Sequence, residues 1–199
     1  MLSFKSLFGP KWQSQNPNKR CRAVSRLNPS CPTDHQILKQ LALSDPAIEV
    51  RLQALPRLND PELLVQLCNH ASHTQIQALA SKLLCELITA QGESQLSRQQ
   101  LLQILSGIEK VELLTHIALN ASDAQVRRYV VYQLEDEVAL EQVVRFSRDP
   151  QQQRIAIQGI DEVPRLQQLV EQQHRHCPEL AQLLQQRLAV RSRYATACA

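Results

Sequence analysis

The chain has 199 residues, enough to bury about 70% of the surface that an unfolded chain of this size exposes. Its 43% hydrophobic and 21% charged residues argue against a disordered, collagen-like or membrane-spanning design, and 31 Leu and 27 Gln against 4 Gly and 7 aromatics favour helix over strand. The net charge of +3 hides a segregation: nine Lys/Arg and three Asp/Glu in residues 1–58, five and eleven in 59–144, eight and five in 145–199.

The amino-terminal segment reads MLSFKSLFGPKW and is interrupted by Lys5, so it lacks the apolar run of a secretory signal. Phe4, Leu7, Phe8 and Trp12 lie at helical spacing among Lys5 and Lys11. Phe4, Phe8 and Trp12 are therefore a candidate docking segment for a membrane surface or a partner groove. The plainer expectation is that residues 1–15 cap the first of a set of repeats, as an array of repeats needs for solubility.

Beyond residue 15 helix punctuation recurs, predicting helices near 16–27, 34–43, 46–58, 61–69, 72–90, 97–106, 109–119, 123–134, 137–147, 150–160, 162–173 and 179–193. Asn16-Pro17 opens the first. Asp45-Pro46 predicts an N-cap with proline at the first helical position, followed by an apolar stripe of Ile48, Leu52, Leu55 and Leu58 with Val50 and Ala54. Asn59-Asp60-Pro61 closes that helix and opens a partner carrying Leu63, Leu64 and Leu67, which predicts an antiparallel pair. A shift of 26 residues places Ile76, Ala80 and Leu84 on Val50, Ala54 and Leu58. This third copy is expected to run as one long helix without a partner of its own, and Gln91-Gly92-Glu93-Ser94 is the one clear loop. A shift of 50 places Ile104 and Ile108 on Ala54 and Leu58, and a shift of 76 places Val126-Arg127 on Val50-Arg51 and Leu134 on Leu58. Asp149-Pro150 opens the last copy, with Ala156 six residues beyond the proline, as Ala23 is beyond Pro17. The expected fold is all-α: an α-solenoid of stacked antiparallel helix pairs, about six repeats over 16–173, closed by a capping helix and tail at 174–199. The core follows from the register: Ala54, Leu55, Leu58, Val126, Val130 and Leu134 should be buried.

The motif Asp-Pro-x-x-x-Val-Arg-x-x-Ala-Leu-x-x-Leu at 45–58 resembles the first helix of a HEAT-like repeat. The copy at 121 keeps Val126-Arg127 without the proline, and the copy at 149 keeps Asp149-Pro150 but has Gln153-Arg154 without the Val. The opening Phe4, Gly9-Pro10-Lys11-Trp12-Gln13 and Asn16-Pro17 is similar to the amino-terminal region of large bacterial proteins of the domain of unknown function 349 family. Those proteins continue into long charged helices, so the resemblance implies an amino-terminal portion; it brings no established reaction. HEAT-like proteins include interaction scaffolds, bilin lyase-like proteins and a DNA glycosylase group, and the fold alone does not decide among them.

No phosphate loop, Ser-His-Asp elbow or paired zinc spacing is present, so no catalytic residue, cofactor or metal site is assigned. Cys68-x-His70-x-x-His73 and His174-x-His176-Cys177 hold metal-capable atoms near helix ends but lack a four-ligand pattern. The six cysteines read as reduced thiols, and with no apolar run of membrane-spanning length the expected location is cytoplasmic. Arg51 and Arg127, with Arg20 at the matching place, would recur on one surface. An Arg there can bind a ligand, or it can hydrogen-bond a neighbouring loop or carboxylate such as Asp45 or Asp123. Arg22, Arg26, Arg51, Arg57, Arg127 and Arg128 form the candidate interaction surface. The leading expectation is a non-enzymatic scaffold that binds a protein partner through its concave face. The alternative is electrostatic nucleic-acid binding by the basic amino-terminal repeats, with a bilin lyase-like or nucleobase-acting enzyme a distant third.

Overall fold

A computed structural model describes residues 10–89, 96–173 and 178–197. The described residues form twelve α-helices and no strand. They are α1 (Pro17–Val24), α2 (Pro32–Ser44), α3 (Ile48–Ala54), α4 (Pro61–His70), α5 (Thr74–Thr89), α6 (Arg98–Ser106), α7 (Val111–Asn120), α8 (Ala124–Gln133), α9 (Glu137–Phe146), α10 (Pro150–Gly159), α11 (Val163–Gln173) and α12 (Pro178–Ala197). Among them, no helix is long and apolar enough to cross a membrane. Phe4, Phe8, the loop expected at 91–94 and His174, His176 and Cys177 lie outside the described residues.

The chain divides into two compact units, Met1–Leu84 and Cys85–Ala199. In the first, a short 3₁₀ turn at Lys11–Gln13 packs on α1, and α3 packs on both α1 and α2. Trp12 is half-buried in that turn, so this part of the amino-terminal segment rests on the first helix. In the second unit α7 packs on α8 and α9, α10 on α8 and α9, and α12 on α10 and α11. Helices α8, α10 and α12 thus follow one another in one layer, with α7 and α9 in contact in another.

One register governs the core. Helices α1, α3, α5, α6, α8 and α10 each begin six residues before a buried Ala23, Ala54, Ala80, Ile104, Val130 or Ala156. Their neighbours bury an i, i+3 pair: Leu38 and Leu41, Leu64 and Leu67, Leu114 and Ile117, Leu140 and Val143, Leu166 and Leu169. Such spacing places both side chains on one face of a helix, which packs against the next. Leu55, Leu58, Val126 and Leu134 are buried as well. Helix α5 is a single element of 16 residues, with Ile76, Ala80, Leu84 and Ile88 buried at intervals of four.

Two expectations are corrected at α3. The helix begins at Ile48, not at Pro46, and its N-cap is Ala47. The Asp45 carboxylate receives the Ala47 N–H at 2.8 Å, closing the turn ahead of the helix. The helix also ends early: Leu55–Arg57 is a 3₁₀ turn, because Pro56 has no N–H to continue the α pattern. Asn59 then leaves with φ 47°, a left-handed conformation that Asn tolerates better than most residues. At the far end, α12 runs four residues beyond the expected 193.

Leu58 is 4% exposed at the centre of the first unit's register. Leu58→Ala is expected to cost about 2–5 kcal/mol, the range for truncating a buried Leu. Urea denaturation of the two proteins measures it, and an unchanged midpoint would contradict the register.

Candidate interaction surface

Three-residue turns, at 45–47, 71–73, 121–123 and 147–149, join α2 to α3, α4 to α5, α7 to α8 and α9 to α10. So short a link leaves the carbonyls of the ending helix and the N–H groups of the starting one without helical partners. At 121–123 and 147–149 side chains supply them. At the starts, Asp123 accepts the Gln125 N–H at 2.7 Å and Asp149 accepts that of Gln151 at 3.0 Å. At the ends, the fourth residue of the following helix reaches back to the C-cap carbonyl six residues earlier. Arg127 Nη1 donates to the carbonyls of Ala121 at 2.7 Å and Ser122 at 3.0 Å. Gln153 Nε2 does the same to Ser147 at 2.9 Å, and Arg20 Nη1 to Ser14 at 2.7 Å.

The arginines expected to recur on one surface are therefore placed at the turns. Arg127 does not meet Asp123. Arg20 is buried and forms a two-pronged ion pair with buried Asp45: Nε to Oδ2 at 2.8 Å, Nη2 to Oδ1 at 2.7 Å. The Asp45 hydrogen bond raises the Arg20 pKa against the opposing effect of burial. Arg51 departs from the series. The C-cap of its turn is Asp45, whose carboxylate pairs with Arg20, and the Arg51 Nε is buried without a hydrogen-bond partner. In the last copy Gln152 and Gln153, not Gln153 and Arg154, stand in the Val-Arg places. Gln152 is fully buried and binds the Ala118 carbonyl and the Ser147 hydroxyl.

The other candidates divide. Arg57 Nη2 donates to the Leu27 carbonyl at 2.7 Å, tying the end of α3 to the turn after α1. Arg128 pairs with Asp149 at 2.9 Å. Arg22 and Arg26 are exposed, with no ion-pair partner among the described residues. Further along, Arg165 joins Glu141, Glu162 and Glu137 across α9 and α11, while Arg187 and Arg191 of α12 meet Asp161. Cys68 is buried with its Sγ 3.0 Å from the Ser81 hydroxyl, whereas His70 and His73 are exposed. Among the described residues no three His, Cys, Asp or Glu side chains converge.

What sequence reasoning did not single out is a groove of about 590 Å³ between α7 and α9, lined by Val111, Glu112, His116, Asp136, Val138 and their neighbours. Val138 is 49% and Val111 37% exposed, and Phe146 and Tyr132 are also open to solvent. A signal was present. The 76-residue shift lays Val138, Tyr132 and Phe146 on Glu62, Pro56 and His70, exposed places of the first unit. No family model matches the chain, and no curated protein or solved structure matches it.

The cap carboxylates titrate with the fold. Burial alone would push Asp149 up; Arg128 and the N–H groups of Gln151 and Gln152 outweigh it and hold the carboxyl below its ordinary value. At Asp60 burial is outweighed by Lys39 at 2.9 Å and the Leu63 N–H at 3.0 Å. A lowered folded-state pKa stabilises the fold at pH values above the unfolded carboxylate value, about 4, and that contribution disappears as pH falls through the folded value. The urea midpoint is accordingly expected to drop on acidification below about pH 5. The drop should be smaller in the Asp60→Asn, Asp149→Asn double variant, because Asn retains the cap without the charge. Identical pH profiles for the two proteins would contradict these pairings.

Proposed function

We propose that the chain is a HEAT-like α-solenoid of about six stacked helix pairs that acts, without catalysis, as a scaffold for another protein. The recurring register and the layering of α8, α10 and α12 support the architecture. The observation that carries the function is the groove between α7 and α9. Its walls are two packed helices, and its rim presents Val111 and Val138 to solvent where the same register in the first unit is polar. Apolar side chains set at the mouth of a rigid helical groove suit an amphipathic segment of a partner. The free thiols of Cys21, Cys31, Cys68 and Cys85 are in keeping with a reducing cytoplasm. The similarity to the domain of unknown function 349 family rests on residues 4–17 and is part of this reading.

One feature favours a second reading. Lys19, Arg22 and Arg26 are exposed along α1 and the turn after it, a stripe that fits a nucleic-acid backbone. Arg57 is tied to Leu27 and adds less than its sequence position suggests.

Affinity capture from the source cell, with and without nuclease, separates the two. A protein partner that survives nuclease is expected. Duplex DNA and structured RNA are expected not to bind with sub-micromolar affinity at about 150 mM salt, since three cations neutralise few phosphates. Tight binding there, lost in an Arg22→Ala, Arg26→Ala variant and falling steeply with salt, would reverse the ranking.

A further inference from the structure

The groove between α7 and α9 has an acidic wall as well as an apolar rim. No Lys or Arg lines it. Glu112 is exposed and has no ion-pair or hydrogen-bond partner among the described residues. Asp136 caps α9 through the Ala139 N–H at 2.7 Å, and among the described residues no cation pairs with it.

The first unit shows what this junction looks like when it is closed. Asp60, 76 residues earlier, caps α4 in the same way, accepting the Leu63 N–H at 3.0 Å. Its second oxygen receives Lys39 Nζ at 2.9 Å, so a lysine of α2 spans to the start of α4. The same shift carries Lys39 to Thr115. That side chain is short and buried, and its hydroxyl donates to the Val111 carbonyl of its own helix at 2.8 Å. The carboxylate has been kept and its cation has not.

We propose that the groove binds a Lys- or Arg-bearing amphipathic helical segment of a partner protein, whose cation takes at Asp136 the place that Lys39 takes at Asp60. This inference rests on the scaffold reading above and assigns it a partner chemistry. A second cation of the segment meets Glu112, and an apolar side chain lies between Val111 and Val138. The two carboxylates, in a groove that no Lys or Arg lines, draw such a segment toward the site.

The test uses the full chain and three short helical peptides, followed by backbone amide NMR. One peptide carries a Leu stripe flanked by Lys, the second replaces Lys with Glu, and the third replaces Leu with Gln. The Leu/Lys peptide is expected to shift α7 and α9 amides, with the other two binding more weakly. An Asp136→Asn, Glu112→Gln variant should lower its affinity about five- to tenfold, the loss of two exposed charge pairs. Asn keeps the α9 cap, so the variant is expected to fold. Thr115→Lys, which restores the spanning cation, should also weaken binding. The proposal is overturned if the peptide fails to bind at millimolar concentration, if the shifts map to other helices, or if the charge-neutralised variant binds unchanged. Each of these leaves the scaffold reading standing, which fails if nuclease removes every captured partner or if tight, salt-sensitive nucleic-acid binding is found.

Discussion

The shortness of the turns is the constraint on which the rest depends. Three residues between helices bring their packing faces together, but they cannot satisfy the backbone groups that two helix ends leave open. The chain answers with a donor at the fourth position of the following helix, as in Arg20, Arg127 and Gln153, and with cap carboxylates such as Asp123 and Asp149. A guanidinium or a primary amide suits the donor place because each offers several N–H groups on a stem long enough to turn back. Arg57, Arg127 and Arg128, half of what looks like a charged face in the linear sequence, are therefore part of the joints. A charged side chain between two backbone carbonyls is a structural element, however exposed its neighbours are.

Helix positions were legible because they depend on local rules: cap residues, proline, and the spacing of Leu and Ala. Each of the twelve described helices overlaps a segment that these rules predict. Helix α3 shows where the rules give way. Asp45-Pro46 looks like a helix start, yet Ala54 lies eight residues beyond Pro46, against six for Ala23 beyond Pro17 and Ala156 beyond Pro150. The buried alanine sets the register, and it places the first helical residue at Ile48. Local punctuation yields to core packing when the two disagree. The same rule explains why Gln152, not a valine, sits fully buried: position fixes the burial, and the side chain finds partners in Ala118 and Ser147. Which arginines would be engaged was legible only in part: Arg20 meets Asp45, a carboxylate visible in the sequence, whereas Arg57 and Arg127 bind main-chain carbonyls that no residue type announces.

Charge summed over segments is likewise a poor guide to the local field. The acidic middle holds Glu137, Glu141, Asp60 and Asp123. The first two are neutralised by Arg165 and Arg145, Asp60 by Lys39, and Asp123 is a helix cap. The basic first segment similarly commits Arg20 to Asp45, Lys39 to Asp60 and Arg57 to a carbonyl. Among the described residues, the exposed charges without an ion-pair partner include Lys19, Arg22 and Arg26 on α1 and the turn after it, and Glu112 with Asp136 beside α7 and α9, and these can act at a distance. Exposed pairs contribute little to stability, but an exposed charge left without its pair keeps its capacity to meet another molecule.

A protein built by repeating one junction shows its specialised places as departures from that junction. Where Lys39 spans to Asp60, the helices are laced across their surface and a third helix would have to displace an existing contact. Where Thr115 replaces that lysine, the cap at Asp136 still holds α9, since the N–H bond of Ala139 needs only one oxygen. The fold loses no buried contact and the surface gains an acceptor, while Val138 in place of Glu62 makes the adjoining rim apolar. Neither exchange disturbs the buried Leu114, Ile117, Leu140 and Val143 beneath it. Core and surface can therefore diverge independently at this place, and the repeated register leaves room for a binding chemistry that the register itself does not specify.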